Sequence, residues 1–349
     1  MVQSVTNHAQ PTLAHDVPHH AWVRSARTVE PLAGGRVNDT YLVTAADGER
    51  IVLQRLNERV FPEPKVVVRN ARKLADHLAN RADAFAPRVP MPYRTLEGAD
   101  ALVTADGGVW RARTYLPGTP LAPARLDDVE AAAFAFGGFV NALQGVPTDD
   151  IESVLPGLHV LSFAVRRLER LTVAASPEQR RQVLGEVDRA RRCFETVERA
   201  CQLRGVASLP QRIVHNDTKL ANVIVASDGL GIVDLDLTGA GTVLADVGDL
   251  VRSASGHLPD VDPARVHRAV VASWRRGAGE LIIDAEVEAL PVAGPLVATE
   301  LALRYLADAL DPAPTLRTTG AEAPRKRAMG NLGLAERLLA VMDQLLVRA

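Results

Sequence analysis

The chain has 349 residues, enough for two domains that each bury a core. Hydrophobic residues make up 47% and charged residues 23%, the balance of a soluble globular protein and not of a disordered one. A formal net charge of −2 carries no basic footprint for nucleic acid, and no apolar run approaches the ~20 residues that span a bilayer.

The opening stretch, MVQSVTNHAQPTLAHD, lacks the charged-then-apolar layout of a signal peptide. His8, His15, His19 and His20 crowd the first twenty residues. A metal-binding tract would need a fixed geometry that nothing nearby supplies, so residues 1–27 read as an N-terminal tail. The two cysteines, Cys193 and Cys201, lie eight apart on a helix-like stretch. That spacing does not aim both at one metal, and they read as small apolar residues in a reducing cytoplasm.

From Thr28 to Leu56 the pattern is strand-like, with VNDTYLVT and ERIVLQRL flanking the turn signal Asp47-Gly48. Pro64 opens a helix over 65–80 with apolar positions at Val67, Ala71, Leu74 and Leu78. FAPRVPMP, ALVTAD and GVWRARTYL then read as further short strands. Pro and Gly in LPGTPLAP (116–123) mark a change of character. Beyond it the chain is mostly helical: DDVEAAAFAFGGFVNAL, SFAVRRLERL, 177–204, then 263–277, 294–310 and 331–347. Ser176-Pro177-Glu178-Gln179 has the form of a capping box with Pro in the first turn. A hinge at 113–120 thus joins a small β-rich lobe, 28–115, to a larger, mostly helical lobe, 116–349: an α+β protein.

One β interlude, 212–236, interrupts the helical lobe, and it carries the chemistry. IVHNDTKLAN (213–222) is followed by GIVDLD (231–236), so H-x-D-x-x-x-x-N is trailed by a strand ending in Asp234. A protein-kinase catalytic loop has this spacing. Phosphoryl transfer needs a carboxylate to orient the acceptor hydroxyl and take its proton, the role read for Asp217. A metal on the nucleotide phosphates needs hard oxygen ligands from two directions, which Asn222 and Asp234 offer. Lys219, two past the base, is placed to offset charge on the transferring group. A hairpin through Ser227-Asp228-Gly229 returns Asp234 to the loop. The bland alternative, a polar hairpin whose carboxylates cap helices, leaves charged residues between apolar strands without a task.

HNDTKLANVIV with GIVDLDLTGAGTVLADVGDLVR resembles the aminoglycoside phosphotransferase–choline kinase superfamily, and within it the N-acetylhexosamine 1-kinases most. The likeness continues at GGRVNDTYLV, IVLQRLN, VWRARTYLPGT and ELALRYLADAL, from about residue 28 to 345. It implies a bilobal protein-kinase-like fold with ATP between the lobes. Asp217 is then the base, Asn222 and Asp234 hold Mg2+, and Gly35, Gln54, Arg113 and Tyr115 contact ATP. Asn38, Asp249 and Arg304 are candidates for the acceptor, although Asn38 serves equally as the anchor of a turn. Asp246 and Asp249 read first as the N-cap and capping-box partner of the helix ADVGDLVRS. Asp236 either supports the metal site or points into the same polar floor.

Departures from the family pattern are specific. No G-x-G-x-x-G loop covers the phosphates, and Gly34-Gly35 is all that precedes the first strand. Where protein kinases place a strand Lys, this chain has Gln54-Arg55, and the following helix contains no Glu to pair with it. Alternation lets only one of the two face a cleft, and the resemblance favours Gln54. After ELALRYLADALD the family shows aromatics where this chain reads PAPTLRTTG. The expected function is ATP-dependent phosphorylation of a sugar hydroxyl, the anomeric one of an N-acetylhexosamine-like sugar. A cyclitol, aminoglycoside or amino alcohol is the alternative acceptor, and a catalytically silent kinase-like binding protein the alternative class. The expected partners are ATP and a small polyhydroxylated acceptor, without nucleic acid or membrane; monomer or dimer is left open.

Overall fold

The computed structural model describes residues 17–32, 37–80, 87–122, 125–311 and 322–345. The chain divides into two compact units. One comprises residues up to Arg72 together with Pro90–Tyr115; the other comprises Lys73–Val89 and the chain from Leu116 onward. Gly35, His8 and His15 lie outside the described residues.

The smaller unit is built on β1 (Ala26–Pro31), β2 (Asp39–Ala45), β3 (Arg50–Arg55), the start of α1 (Pro64–Ala79), β4 (Pro92–Tyr93), β5 (Leu102–Val103) and β6 (Val109–Thr114). The strands pair antiparallel in the order β1-β2-β3-β6-β4, with β5 also on β6. Asp47-Gly48 does turn β2 into β3: Gly48 takes φ +94°, a conformation open to glycine, and Glu49 N–H donates to Asp47 Oδ1 at 3.0 Å. Alternate residues Val43, Ile51, Leu53, Trp110 and Ala112 form the core. Val17, Trp22 and Val23, placed in the tail by the sequence reading, also pack into it. The Trp22 indole N–H donates to the Tyr93 carbonyl at 3.1 Å.

The larger unit runs through β7 (Thr119–Pro120), α2 (Leu126–Ala142), α3 (Leu161–Ala174), α4 (Pro177–Leu203), β8 (Arg212–Val214), β9 (Val223–Ala226), β10 (Gly229–Ile232), β11 (Gly239–Gly241), α5 (Val243–His257), α6 (Pro263–Ala278), α7 (Asp284–Ala289), α8 (Ala293–Leu310) and α9 (Glu322–Ala340). The capping box of α4 forms as read: Gln179 N–H donates to Ser176 Oγ, and Ser176 N–H to Gln179 Oε1. Helices α2 and α6 cross closely at glycine. A Cβ on Gly137 would sit 2.1 Å from the Trp274 carbonyl oxygen, and one on Gly277 2.1 Å from that of Phe134. Two boundaries differ from the sequence reading. The C-terminal helix spans Glu322–Ala340, not 331–347, because Ala328, Leu332, Ala335 and Leu338 supply its buried face despite the polar start. Helix α5 begins at Val243, with Thr242 as its N-cap, so Asp246 does not cap it. Cys193 and Cys201 are free on α4, and burial raises both thiols, Cys201 to about 11. Among the described residues no helix is long and apolar enough to cross a membrane.

Candidate active site

The loop between β8 and β9 is assembled by hydrogen bonds from three directions. Asp246, in the first turn of α5 and fully buried, accepts His215 N–H through Oδ2 at 2.9 Å and Asn216 N–H through Oδ1 at 2.7 Å. Its own carbonyl accepts the Thr218 hydroxyl at 2.6 Å. Burial pushes the Asp246 carboxyl above its usual range, against the pull of His215 and the two amides. The residue read as a helix cap is thus the anchor of the loop. Leu220 N–H is taken by Ser253 Oγ, two turns further along α5, at 3.0 Å.

His215 is not placed for proton transfer. It is fully buried, edge-on to Phe136 and Phe139 with centroids 5.2 and 5.5 Å away. Asp217 N–H reaches its Nδ1 at 3.3 Å, so that nitrogen accepts and Nε2–H donates to the Val233 carbonyl at 3.1 Å. The ring therefore ties the loop to the residue before Asp234. Val233 N–H in turn donates to the Asn222 carbonyl at 2.9 Å, so loop and hairpin end are joined twice. The β9–β10 hairpin, in register Ile232↔Val223, makes this return possible.

These bonds gather Asp217, Lys219, Asn222 and Asp234. Lys219 Nζ lies 2.5 Å from Asp217 Oδ2 and 3.3 Å from Asp234 Oδ2. Burial works against its charge, but the two carboxylates outweigh that and hold the ammonium above its usual range. Asn222 Nδ2 donates to the Asp217 carbonyl at 2.8 Å and to Asp217 Oδ2 at 3.2 Å. Both contacts to the Asp217 carboxylate fall on Oδ2, which leaves Oδ1 for another partner. Asn222 spends its amide nitrogen on Asp217 and keeps its side-chain oxygen. Asp234 stands in left-handed backbone at φ +65°, and the following Asp236 is buried.

Several other acids of this unit are paired with cations. Asp249 Oδ1 pairs with Arg252 at 2.7 Å, while its buried Oδ2 has no hydrogen-bond partner among the described residues. Glu300, on α8 and 1% exposed, pairs with Arg304 at 3.4 Å and with His159 at 3.4 Å. Asp308 and Asp311 share Arg167 at 2.8 and 2.9 Å. Asp249 and Arg304 thus belong to a buried polar layer over α5 and α8. Among the described residues, no group of three or more His, Cys, Asp or Glu could hold a metal ion. A Mg2+ site here would consist of the Asn222 oxygen and the Asp234 carboxylate, a donor set suited to an ion that takes its other ligands from phosphate and water.

The smaller unit carries the remaining sequence candidates. Gln54 is buried, whereas Arg55 is half-exposed and paired with Asp106 at 2.7 Å. Gln54 Oε1 accepts from Arg111 Nη2 at 3.0 Å and Arg113 Nη2 at 2.5 Å, and Gln54 Nε2 donates to Thr40 Oγ1 at 3.1 Å. The β3–β6 register sets Gln54 opposite Arg111, and Arg113 follows two residues on along the same face. Arg111 was not read from sequence, because an arginine on an alternating strand looks like a solvent-facing one. Tyr115 lies under the Arg50 guanidinium, 4.2 Å from ring centroid to carbon. Asn38 is buried, and its Oδ1 accepts Asn57 N–H at 3.0 Å.

The model of the phosphotransferase enzyme family matches residues 28–279, more than half of the chain. Among solved structures, an aminoglycoside phosphotransferase from Alicyclobacillus acidocaldarius is similar at TM-score 0.68 and 14% identity, covering 98% of each chain. A microcompartment-associated aminopropanol kinase gives 0.69 at 19% identity, over 93% of this chain and 96% of that one. An amicoumacin kinase in complex with AMP-PNP, Ca2+ and Ami gives 0.61 at 15% identity, over 94% of this chain and 91% of that one. At these identities the likeness establishes the fold, a small sheet-built part and a larger helical part of kinase-like type. The chain belongs to the phosphotransferase enzyme family and is an enzyme of it, a kinase with an alcohol group as acceptor.

Proposed function

We propose that the protein transfers the γ-phosphoryl group of ATP to the anomeric hydroxyl of an N-acetylhexosamine-like sugar. The observation that carries the transfer step is the Lys219 ammonium lodged between Asp217 and Asp234, with Asn222 bonded to the same Asp217 oxygen. Asp217 Oδ1, clear of those bonds, orients the acceptor hydroxyl and takes its proton. The hydroxyl oxygen forms a bond to the γ-phosphorus as the bond to the bridging β,γ-oxygen breaks, and ADP leaves with that electron pair. Lys219 offsets charge on the equatorial oxygens during transfer. Asn222 and Asp234 would hold Mg2+, which supplies charge neutralisation on the β- and γ-phosphates. Calcium in the complex of the similar amicoumacin kinase supports a divalent ion in this role. In the smaller unit, Gln54, Arg113 and Tyr115 are the proposed ATP contacts; Gln54 acts there by holding Arg111 and Arg113 in place.

The sugar acceptor rests on charge. A cationic aminoglycoside or amino alcohol is best held by carboxylates left over for it, whereas Asp249, Glu300, Asp308 and Asp311 are each matched by Arg or His. A neutral polyol asks for directional hydrogen bonds instead, and the unpartnered Oδ2 of Asp249 is one such acceptor. Arg304 on α8 supplies donors, and Asn38 is the weaker candidate, since its oxygen already holds Asn57. An amino alcohol remains the second reading, favoured by the similar aminopropanol kinase.

The test is an acceptor panel of N-acetylglucosamine, N-acetylgalactosamine, glucosamine and amino alcohols, with ATP and Mg2+. Products are then exposed to mild acid. An anomeric phosphate is lost, because the ring oxygen stabilises the resulting cation, whereas a phosphate on any other hydroxyl survives. Acid-stable product from every accepted substrate would defeat the anomeric assignment, and turnover confined to amino alcohols would replace it with the second reading.

A further inference from the structure

Three non-glycine residues among those described have left-handed backbone: His159 at φ +54°, Asn216 at +62° and Asp234 at +65°. Such conformations cost roughly 1–2 kcal/mol each and persist only where surroundings impose them. Asn216 and Asp234 belong to the loop and hairpin end already described. His159 precedes α3 and is distant in sequence, yet its Nε2 lies 3.0 Å from the Asn216 carbonyl oxygen, one residue before the base.

Glu300 holds His159 on its other side. His159 N–H donates to Glu300 Oε1 at 3.2 Å, and His159 Nδ1 lies 3.4 Å from Glu300 Oε2. Nε2 thus reaches the Asn216 carbonyl at hydrogen-bond distance, while Nδ1 stands at ion-pair distance from Glu300 Oε2 without completing a hydrogen bond, so the carboxylate favours the imidazolium by charge. The charged groups around it are Glu300 and Arg304 from α8, and Asp246 and Asp249 from α5, the latter joined to Arg252. The loop itself presents the Asn216 carbonyl. Burial opposes the imidazolium, but Glu300 and that carbonyl outweigh it and raise His159 to about 9.

We propose that His159, clamped by Glu300, is a positioning residue for Asp217: its Nε2–H fixes the Asn216 carbonyl and so the left-handed turn that presents the carboxylate. The proposal rests on the reading of Asp217 as the base, and it adds a proton-dependent tether to that base. The sign follows from the raised value. An ordinary histidine loses its proton near 6.5, so the tether's stabilisation is complete below that pH and is lost as pH rises through about 9. Above it the neutral ring loses its charge attraction to Glu300.

The experiment uses the full chain with labelled histidine and labelled backbone amides, titrated by NMR from acid to alkaline pH, beside kcat and KM for ATP read as ADP release. We expect the His159 ring to titrate near pH 9 and the Asp217 amide to shift with the same midpoint. His159→Gln should abolish that amide titration and lower kcat about 10- to 100-fold with little change in KM for ATP, the signature of a misplaced group. Glu300→Gln should move the ring midpoint and the alkaline limb of kcat together toward neutral pH. If His159→Gln does not fold, the wild-type and Glu300→Gln titrations decide. A ring midpoint at or below its ordinary value, an Asp217 amide that does not follow the ring, or an unchanged kcat in folded His159→Gln overturns the proposal. A parallel fall of kcat, nucleotide affinity and thermal midpoint would make the pair mere packing and overturn it equally. No turnover in the wild type with the amide coupling present would instead defeat the phosphotransfer reading of the loop while the tether stands.

Discussion

Replacing Asp246 by alanine is a severe perturbation of the loop although the residue never needs to touch a substrate. The side chain is fully buried and accepts two backbone amides, His215 N–H at 2.9 Å and Asn216 N–H at 2.7 Å. Hydrogen bonds to a charged acceptor contribute about 1.5–3 kcal/mol each, so removing both costs about 3–6 kcal/mol of local stability. Alanine offers no substitute, and the two amides are left facing a small void. At about 1.4 kcal/mol per factor of ten, even the lower figure raises amide exchange at His215 and Asn216 about a hundredfold. Native-state hydrogen exchange reads this directly, and turnover should fall with it because Asp217 follows Asn216. The helix-cap reading predicts something else, faster exchange in the first turn of α5 with the loop amides untouched. Loop protection within about threefold of wild type would refute the anchoring role.

Three further expectations follow from particular contacts. Glu286 is fully buried and grips Arg212 with two 2.8 Å contacts, so Glu286→Ala strands a guanidinium and should cost about 3–5 kcal/mol, seen as a thermal midpoint lower by several degrees; an unchanged midpoint would show the pair to be dispensable. Gly137→Ala should destabilise by about 1–3 kcal/mol or more, since α2 and α6 must part, whereas Gly185→Ala on α4, with open space around it, should stabilise by about 0.5–1 kcal/mol; equal effects in denaturant melts would contradict the close crossing. Gln54→Ala should raise KM for ATP more than Arg55→Ala, because Gln54 holds Arg111 and Arg113 while Arg55 pairs outward with Asp106; the reverse ranking would remove Gln54 and its arginines from nucleotide binding.

What could be read from sequence was local. The Asp47-Gly48 turn, the Ser176 capping box and the hairpin through residues 227–229 each depend on neighbours a few positions apart, and each formed where the residue types predicted. The spacing of Asp217, Lys219, Asn222 and Asp234 was legible for the same reason: a loop and one hairpin bring them together. Asp246 was misread because D-x-x-D at a helix start has an adequate local explanation, and its true partners lie 30 and 31 positions earlier. His159 gave no local signal at all, since Glu300 is 141 positions away. Arg113 entered through the family resemblance and Arg111 not at all, because strand alternation says that they share a face but not whether that face is wet. The extent of the last helix was missed because charge in EAPRKRA concealed a buried stripe that includes Ala328 and Leu332.

The central claim is that Asp217 takes the acceptor proton in the chemical step, and Asp217→Asn tests it with the least rearrangement. The amide keeps an oxygen for Lys219 and Asn222, so the loop and its nucleotide partners should persist. Measured with a saturating acceptor and Mg–ATP, kcat should fall about 100- to 10,000-fold, while the dissociation constant for Mg–ATP changes little. Turnover close to that of the wild type would contradict the account by removing Asp217 as the base. A loss of nucleotide binding equal to the loss of turnover would contradict it too, since the carboxylate would then act in binding and not in transfer.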